Sequence, residues 1–255
     1  MILSPAKKMR VDTDSFAVRD LPRFLDKTET LRASLRAMEP RALQTLWKCN
    51  DRIAAQNVER LADMDLRRNL TPALLAYDGI AYRYMAPNVM TGGQLGYVAE
   101  HLRILSGFYG VLRPFDGVTP YRLEMGAKLA AGGCRDLYQF WGGALAESLC
   151  AESDCIVNLA SKEYSRAVEP HLPPGTRFVT AVFGEHIGGK TVEKGTMCKM
   201  ARGEMVRWMA EHRVEQSEQM KDFDRLGYRF CPEESDAATY TYIRQKNEAS
   251  STSGA

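Results

Sequence analysis

Residues 101–126 read HLRILSGFYGVLRPFDGVTPYRLEMG. No single helix or strand can absorb this run. Its four glycines and two prolines interrupt regular structure at short intervals, and among them stand His101, Arg103, Tyr109, Arg113, Tyr121, Arg122 and Glu124. Glycine reaches backbone conformations closed to other residues and proline fixes one torsion and removes a donor, so the chain must turn repeatedly here. Such turns bring backbone amides close to a ligand, and the cations hold negative charge. The run reads as part of a site, set among elements that bury the core.

Those elements follow from apolar spacing. Leu95, Val98, Leu102 and Leu105 recur at helical intervals, which predicts a helix over 94–106 stopped by Gly107. Residues 121–125 alternate as a strand, with Tyr121, Leu123 and Met125 on one face and Arg122 and Glu124 on the other. Strands are also expected over 1–3, 155–159, 177–183, 228–230 and 239–244, with a hairpin turn at Gly188-Gly189 that returns through 191–193. Helices are expected over 21–38, with Leu21, Phe24, Leu25, Thr28, Leu31 and Leu35 on one stripe, and from Pro40 through Leu43, Leu46 and Trp47. Asn50-Asp51 interrupts that helix and 53–61 resumes it. Further helices are expected from Thr71-Pro72 to Asp78-Gly79, from Ser161 to Val168, and over 197–214. Strands and helices mix without a regular strand–helix–strand rhythm. That predicts an α+β fold, a compact mixed sheet with flanking helices, as one domain over residues 1–246 with a disordered tail at 247–255.

Composition narrows the setting. At 45% hydrophobic and 26% charged, the chain has the make-up of a globular protein in water. It holds no apolar stretch long enough to span a bilayer, and MILSPAKKMR at the start has no apolar core of signal-peptide length, so a cytoplasmic protein with no membrane partner is expected. The six cysteines are scattered, with no Cys-x-x-Cys pair, and read as free thiols. No metal site and no cofactor is expected. Residues 1–128 carry 19 Lys and Arg against 14 Asp and Glu, and residues 129–255 carry 15 against 18, so the basic half is only mildly basic and charge alone does not nominate nucleic acid.

Six blocks add a likeness. Ser4-Pro5-Ala6-Lys7, the 101–126 run, Asp136-Leu137-Tyr138-Gln139-Phe140-Trp141-Gly142, Asn158-Leu159-Ala160-Ser161 with Glu163-Tyr164, Ala201-Arg202-Gly203 and Gly227-Tyr228-Arg229-Phe230 stand in one order along nearly the whole chain. In these blocks the chain resembles the YaaA family of bacterial peroxide-stress proteins. The resemblance implies a cytoplasmic protein with a compact mixed fold of its own, linked to survival under hydrogen peroxide by limiting free iron and so sparing DNA. It also implies binding of duplex and distorted DNA through a basic cleft and a helix-hairpin-helix element. The matching element is 43–61, LQTLWKCNDRIAAQNVERL, whose turn is flanked by Lys48 and Arg52. Such a turn points amides and cations at phosphate oxygens. This one departs from the pattern: it has no glycine, Asn50 replaces a smaller hydroxyl residue, and Asp51 places negative charge where phosphate would approach. Before Ala201-Arg202-Gly203 the family carries two adjacent cations, and this chain carries Lys199-Met200.

The candidate anion-binding residues are therefore Lys7, Lys48, Arg52, Arg103, Arg113, Arg122, Asn158, Ser161, Lys199 and Arg202; of these, Lys7, Arg103, Arg113, Arg122, Lys199 and Arg202 are expected to converge as one cluster, as the family blocks imply. Lys199 and Arg202 are three apart and share a helix face. Arg122 and Glu124 are placed to pair. Ser161 follows a strand, where ligands are often met, and it also suits plain helix capping. His101 reads as a boundary residue, and Tyr138, Phe140 and Trp141 chiefly as core. No catalytic residue is assigned; Lys7, Glu124 and Ser161 are candidates, since a lysine amine can form a Schiff base and a carboxylate can move a proton. Two functions stand open. One is a peroxide-stress protein that binds duplex, bulged or junction DNA without sequence readout and limits iron-dependent damage. The other is an enzyme with a basic pocket for a nucleic-acid, nucleoside-like or small anionic substrate. A monomer is the expectation.

Overall fold

A computed structural model describes residues 1–245. The expected tail at 247–255 lies outside the described residues. Chain order begins β1 (Ile2–Leu3), α1 (Leu25–Arg36), α2 (Pro40–Trp47), α3 (Asp51–Asp63), β2 (Thr71–Pro72), α4 (Ala73–Ala76), α5 (Ile80–Met85) and α6 (Gly92–His101). It continues with β3 (Arg103–Ser106), β4 (Gly110–Leu112), β5 (Gly117–Val118), α7 (Leu137–Trp141), α8 (Ala144–Cys150), β6 (Cys155–Leu159) and α9 (Lys162–Ser165). It closes with β7 (Arg177–Ile187), β8 (Lys190–Val192), α10 (Gly195–His212), β9 (Tyr228–Phe230) and β10 (Thr239–Arg244).

The expected mixed sheet with flanking helices is present. Its strand order is β4-β3-β1-β6-β7-β10-β9, with β8 added on β7. The centre is parallel: β1 pairs with both β3 and β6, β6 with β7, and β7 with β10. The antiparallel pairs are β3 with β4, β10 with β9 and β7 with β8. Strand β1 has only two residues, yet it lies inside this layer, third in the order and paired on both sides. Ile2 faces Arg103 on one side and Asn158 on the other, and Leu3 faces Ile104 and Leu159. Both β1 side chains are buried, as a parallel strand covered on both faces requires. Helix α10 packs on β7, α5 and α6, and α8 packs on β4 and β6. No helix of the described residues is long and apolar enough to cross a membrane.

Several expected elements change length or kind. The helix over 94–106 ends at His101, and Arg103–Ser106 forms β3 instead. Ile104 and Leu105 are adjacent and both fully buried, which a strand between β1 and β4 achieves and a surface helix does not. The helix over 21–38 starts only at Leu25, leaving Leu21 exposed; Leu25, Thr28, Leu31 and Leu35 are its buried stripe. Thr71-Pro72 opens no helix directly but pairs with Gly117–Val118, and only Ala73–Ala76 coils. The Ser161–Val168 helix shrinks to α9. Residues 121–125 join no strand ladder, although their burial alternates as expected: Tyr121, Leu123 and Met125 are buried and Arg122 and Glu124 half-buried.

The helix pair at 43–61 is formed by α2 and α3. Pro40 sits at the first turn of α2, where its missing donor is harmless, and Asn50 caps α3 by accepting from the Ile53 amide at 3.0 Å. Between them Lys48 takes the left-handed conformation, φ 47°, that a glycine would take most easily. Asp51 is drawn aside by Gln44, whose Nε2 donates to Oδ1 at 2.6 Å.

Within the 101–126 run, Asp116 closes the turn after β4. Its Oδ2 accepts from the Arg113 amide at 2.8 Å, and its own carbonyl accepts from Ala73 N at 2.9 Å. The side chain is buried, and burial pushes its carboxyl up to about 6, against the pull of the hydrogen bond and charge of Arg113. A carboxyl raised in the folded state contributes stability that is complete below the unfolded value of 3.8 and lost as pH rises through 6. Asp116→Asn removes that dependence while keeping an acceptor for the amide. Denaturant melts of both proteins from pH 4 to pH 8 are expected to show the difference moving in favour of the variant, by about 3 kcal/mol across the range.

Candidate functional site

The adjacent parallel strands β1 and β6 send their chains in opposite directions. β1 leads toward β3 on one side, and β6 leads to β7 on the other. The crevice beyond the carboxyl ends of two such strands is where open parallel sheets hold ligands. Here Ser4 ends β1 and Ser161 follows β6. The Ser161 amide donates to Ser4 Oγ at 2.8 Å, and the Ser4 hydroxyl donates to Ser161 Oγ at 3.2 Å. Tyr82 on α5 donates to the Ser4 carbonyl at 3.0 Å. A cavity of about 390 Å³ opens above this junction, walled by residues of the loop after β1, the start of α5, the extended segment 121–124, α9 and one face of α10.

Its charges divide into committed and uncommitted. Lys7 Nζ lies 2.7 Å from Glu124 Oε2, and Arg122 lies 3.5 Å from Glu124 Oε1. Arg122 also donates through Nε and Nη2 to the carbonyl of Trp47, at 3.4 and 3.3 Å, so it joins the cavity to the end of α2. Lys8 and Arg83 both hold Asp78, at 2.5 and 2.9 Å, and keep its carboxyl below the usual range. Glu163 accepts from the Gly126 amide at 2.8 Å. On α10 the balance differs. Among the described residues Arg202 pairs with Glu193 alone, at 3.5 Å, and its buried Nε has no hydrogen-bond partner. Lys199, exposed one turn before it, has no carboxylate within ion-pair distance among the described residues.

Tyrosines back the cavity. Ser106 Oγ accepts from the amides of Phe108 and Tyr109 at 3.1 and 2.8 Å, so its own hydroxyl donates to Tyr121 at 2.6 Å, and Tyr121 donates on to Tyr77 at 2.9 Å. Burial pushes the Tyr121 phenol up to about 12 and likewise raises Tyr77, Tyr82 and Tyr164 well above the ordinary phenol value. All four therefore stay neutral hydroxyls across the biological range. Among the described residues no three His, Cys, Asp or Glu side chains are grouped to hold a metal ion.

Lys7, Arg122, Glu124, Ser161, Lys199 and Arg202 thus share one cavity, and the expected Arg122–Glu124 pair is formed. Lys199 and Arg202 face it together, as their spacing predicts. Asn158 stays in the sheet: Nδ2 donates to Thr180 Oγ1 at 3.2 Å, while Oδ1 accepts from Ala160 N at 2.9 Å and shapes the turn into Ser161. Ser161 starts α9 without capping it by its side chain. Arg103 and Arg113 do not join the cluster. Arg103 opens β3, at the amino end of the parallel strands, and both residues converge on Glu152 at 2.7 and 3.5 Å together with Arg23 at 2.9 Å. Lys48 and Arg52 are exposed on the α2–α3 turn outside the cavity. Ser4, Tyr82 and Asp78 were not singled out from sequence. The signal for Ser4 lay in its place at the end of the first strand. For Tyr82 and Asp78 it lay in Gly79, where an added Cβ would stand 2.6 Å from Ala6 Cβ. Tyr138 donates to the Glu163 carbonyl at 2.9 Å, and Phe140 and Trp141 are core.

A family model described as peroxide stress protein YaaA matches residues 1–234. A protein of Agathobacter rectalis described as a UPF0246 protein is 52% identical over 245 residues, covering 96% of this chain and 98% of its own. A UPF0246 protein of Pediococcus pentosaceus is 50% identical over 248 residues, covering 97% and 98%. A third, from Desulfitobacterium hafniense, is 48% identical over 248 residues, covering 97% and 99%.

The cations of α10 depend on how closely that helix meets α5. At Gly203 an added Cβ would fall 1.9 Å from the Ala81 carbonyl oxygen, and backbone cannot swing aside as a side chain can. Gly203→Ala is expected to cost about 3 kcal/mol and to lower the melting temperature by roughly 6–12 °C in a thermal scan. A melt unchanged within 2 °C would contradict the packing described here.

Proposed function

The chain belongs to the peroxide stress protein YaaA family, and from that premise we propose that it protects DNA by binding it without sequence readout. The observation that carries this reading is Arg122. Its guanidinium lies on the cavity wall and also holds the carbonyl that ends α2. The exposed Lys48 and Arg52 of the hairpin, and on α10 Lys199 together with Arg202, whose one carboxylate partner is the exposed Glu193, therefore flank one tethered surface. Cations spaced along such a surface follow phosphates and leave base edges unread. Asp51 accepts from Gln44 at the same turn and keeps its negative charge there. A cavity beside the track favours bent, bulged or junction DNA, whose deformation is already made.

The same chemistry links the surface to peroxide. Lysine and arginine that neutralise phosphates release the cations condensed there. Ferrous iron is displaced with them, and with it the site at which peroxide is reduced to the radical that cuts DNA. Iron-dependent damage is limited at the DNA, in the cytoplasm. A monomer is the form proposed.

A second reading has its own support. Lys7 and Glu124 stand 2.7 Å apart on a cavity of small-molecule size at the sheet's switch point. A carboxylate so placed can take a proton from the ammonium, and the freed amine can attack a carbonyl of a nucleoside-like or other small anionic substrate, losing water to form a Schiff base. Borohydride would trap that adduct, and its absence with every candidate substrate, Lys7 intact, would remove this reading.

The DNA reading is tested by fluorescence anisotropy with duplex, bulged and four-way-junction DNA over a salt series. Four phosphate contacts predict a loss of roughly hundredfold in affinity between 50 and 200 mM salt. Lys48→Gly combined with Arg52→Ala is expected to lower the slope of log affinity against log salt by about 2. The glycine also relieves the left-handed backbone at residue 48, so lost affinity cannot be put down to lost folding. No binding of any of these DNAs at low salt would refute the proposal.

A further inference from the structure

Two buried polar atoms in the cavity wall lack hydrogen-bond partners among the described residues, and they are opposite in kind. Arg202 Nε is a donor on a cation, and Glu124 Oε1 is an acceptor on an anion. Buried polar groups are rarely left unpaired. Arg202 has five donors and makes one contact, at 3.5 Å, to the exposed Glu193. Glu124 gives its other oxygen to Lys7, and Arg122 stands 3.5 Å from Oε1, close enough to offset its charge while leaving it no hydrogen bond. A sugar-phosphate backbone alone offers acceptors and negative charge. It satisfies Arg202 and repels Glu124. The matching ligand carries anionic oxygens at one end and N–H donors at the other.

The same cavity has an aromatic wall. Tyr82, Tyr121 and Tyr164 line it with neutral rings, beside the apolar Leu3, Leu123 and Leu159. Such a wall accepts the flat face of a heterocycle. A volume of about 390 Å³ holds one small molecule and excludes a base pair with its two strands.

We propose that the cavity seats a single nucleotide, with its phosphate against Lys199 and Arg202, its base along the tyrosine wall and a base N–H donating to Glu124. The inference rests on the DNA-binding reading of the surrounding surface for one source of that nucleotide, an unpaired residue extruded from a strand. Extrusion is cheapest where pairing is already lost. A free mononucleotide presents the same chemistry.

The full chain is titrated with a duplex carrying 2-aminopurine as a single-base bulge, with dAMP, and with inorganic phosphate. Extrusion is expected to change the 2-aminopurine emission on binding. Free dAMP is expected to bind at least tenfold more tightly than phosphate and to reverse that change. Arg202→Gln and Glu124→Ala should each weaken dAMP at least tenfold, with circular dichroism confirming the fold and wild-type competition by dAMP standing on its own if either variant unfolds. Binding of dAMP with a silent bulge assigns the seat to free nucleotide. Binding of dAMP without any DNA binding overturns the DNA reading and keeps the seat. Salt-sensitive DNA binding with a silent bulge and no dAMP binding at millimolar concentration overturns the seat and keeps the DNA reading. Phosphate binding as tightly as dAMP overturns the role of the base.

Discussion

The placement of two residues organises this molecule. Ile2 and Leu3 form a strand too short to be stable alone, clamped in register between β3 and β6 inside the sheet. Burying these two side chains stabilises the fold by about 3–6 kcal/mol, which is comparable to the whole margin of many domains. It also fixes where the chain leaves the sheet. Ser4 must emerge beside Ser161, at the point where neighbouring connections part, and the hydrogen bonds between the two serines join the exits. From there a series of close approaches carries the position outward. Tyr82 holds the Ser4 carbonyl, Gly79 lets α5 lie against Ala6, and Gly203 lets α10 lie against Ala81. Lys199 and Arg202 stand at the end of that series, so their aim across the cavity is inherited from β1.

Much of this was legible in the chain, and the misses share a cause. Period-two alternation over 121–125 put Arg122 and Glu124 on one side and three apolar residues on the other, and that division holds although no ladder forms. Alternation records burial, and a segment can bury alternate residues against loops as well as against strands. Helical spacing at Leu95, Val98, Leu102 and Leu105 described two elements as one, because the stripe runs unbroken from α6 into β3. Leu102 is extended, and what decides this is the partner strands on either side of Arg103–Ser106, which no local pattern records. The helix at Thr71-Pro72 shortened for the same reason: a distant segment, Gly117–Val118, claims its first residues. The strands β6, β9 and β10 were read to their ends, since their apolar and aromatic residues stand in short runs between turn signals.

The same distinction explains which site residues were found. Arg103, Arg113 and Arg122 look equivalent in a run of arginines. Their fates are set by position along β3 and the turns that follow it. Arg103, at the amino end, meets Glu152, and Arg113 turns back to the same carboxylate. Arg122, after the chain has crossed over, reaches the opposite end and meets Glu124. Lys199 and Arg202 were easier, because three-residue spacing on a helix fixes a shared face without help from distant chain.

Overall charge is a poor guide to such a surface. The chain carries a net charge of only +2, which by itself argues against a polyanionic partner. Yet most carboxylates near the cavity are occupied. Glu124 neutralises Lys7 and Arg122, Asp78 neutralises Lys8 and Arg83, and Glu163 is bound to a backbone amide. Arg103 and Arg113 are answered by Glu152 at the other end of the sheet. In the cavity this leaves Lys199 with no carboxylate within ion-pair distance among the described residues and Arg202 with Glu193 at 3.5 Å, and the exposed Lys48 and Arg52 stand on the hairpin beside it. A concave, low-dielectric wall concentrates the field of such a set. Attraction for an anion therefore depends on which charges are left unspent at one place, and a balance summed over the chain averages that away.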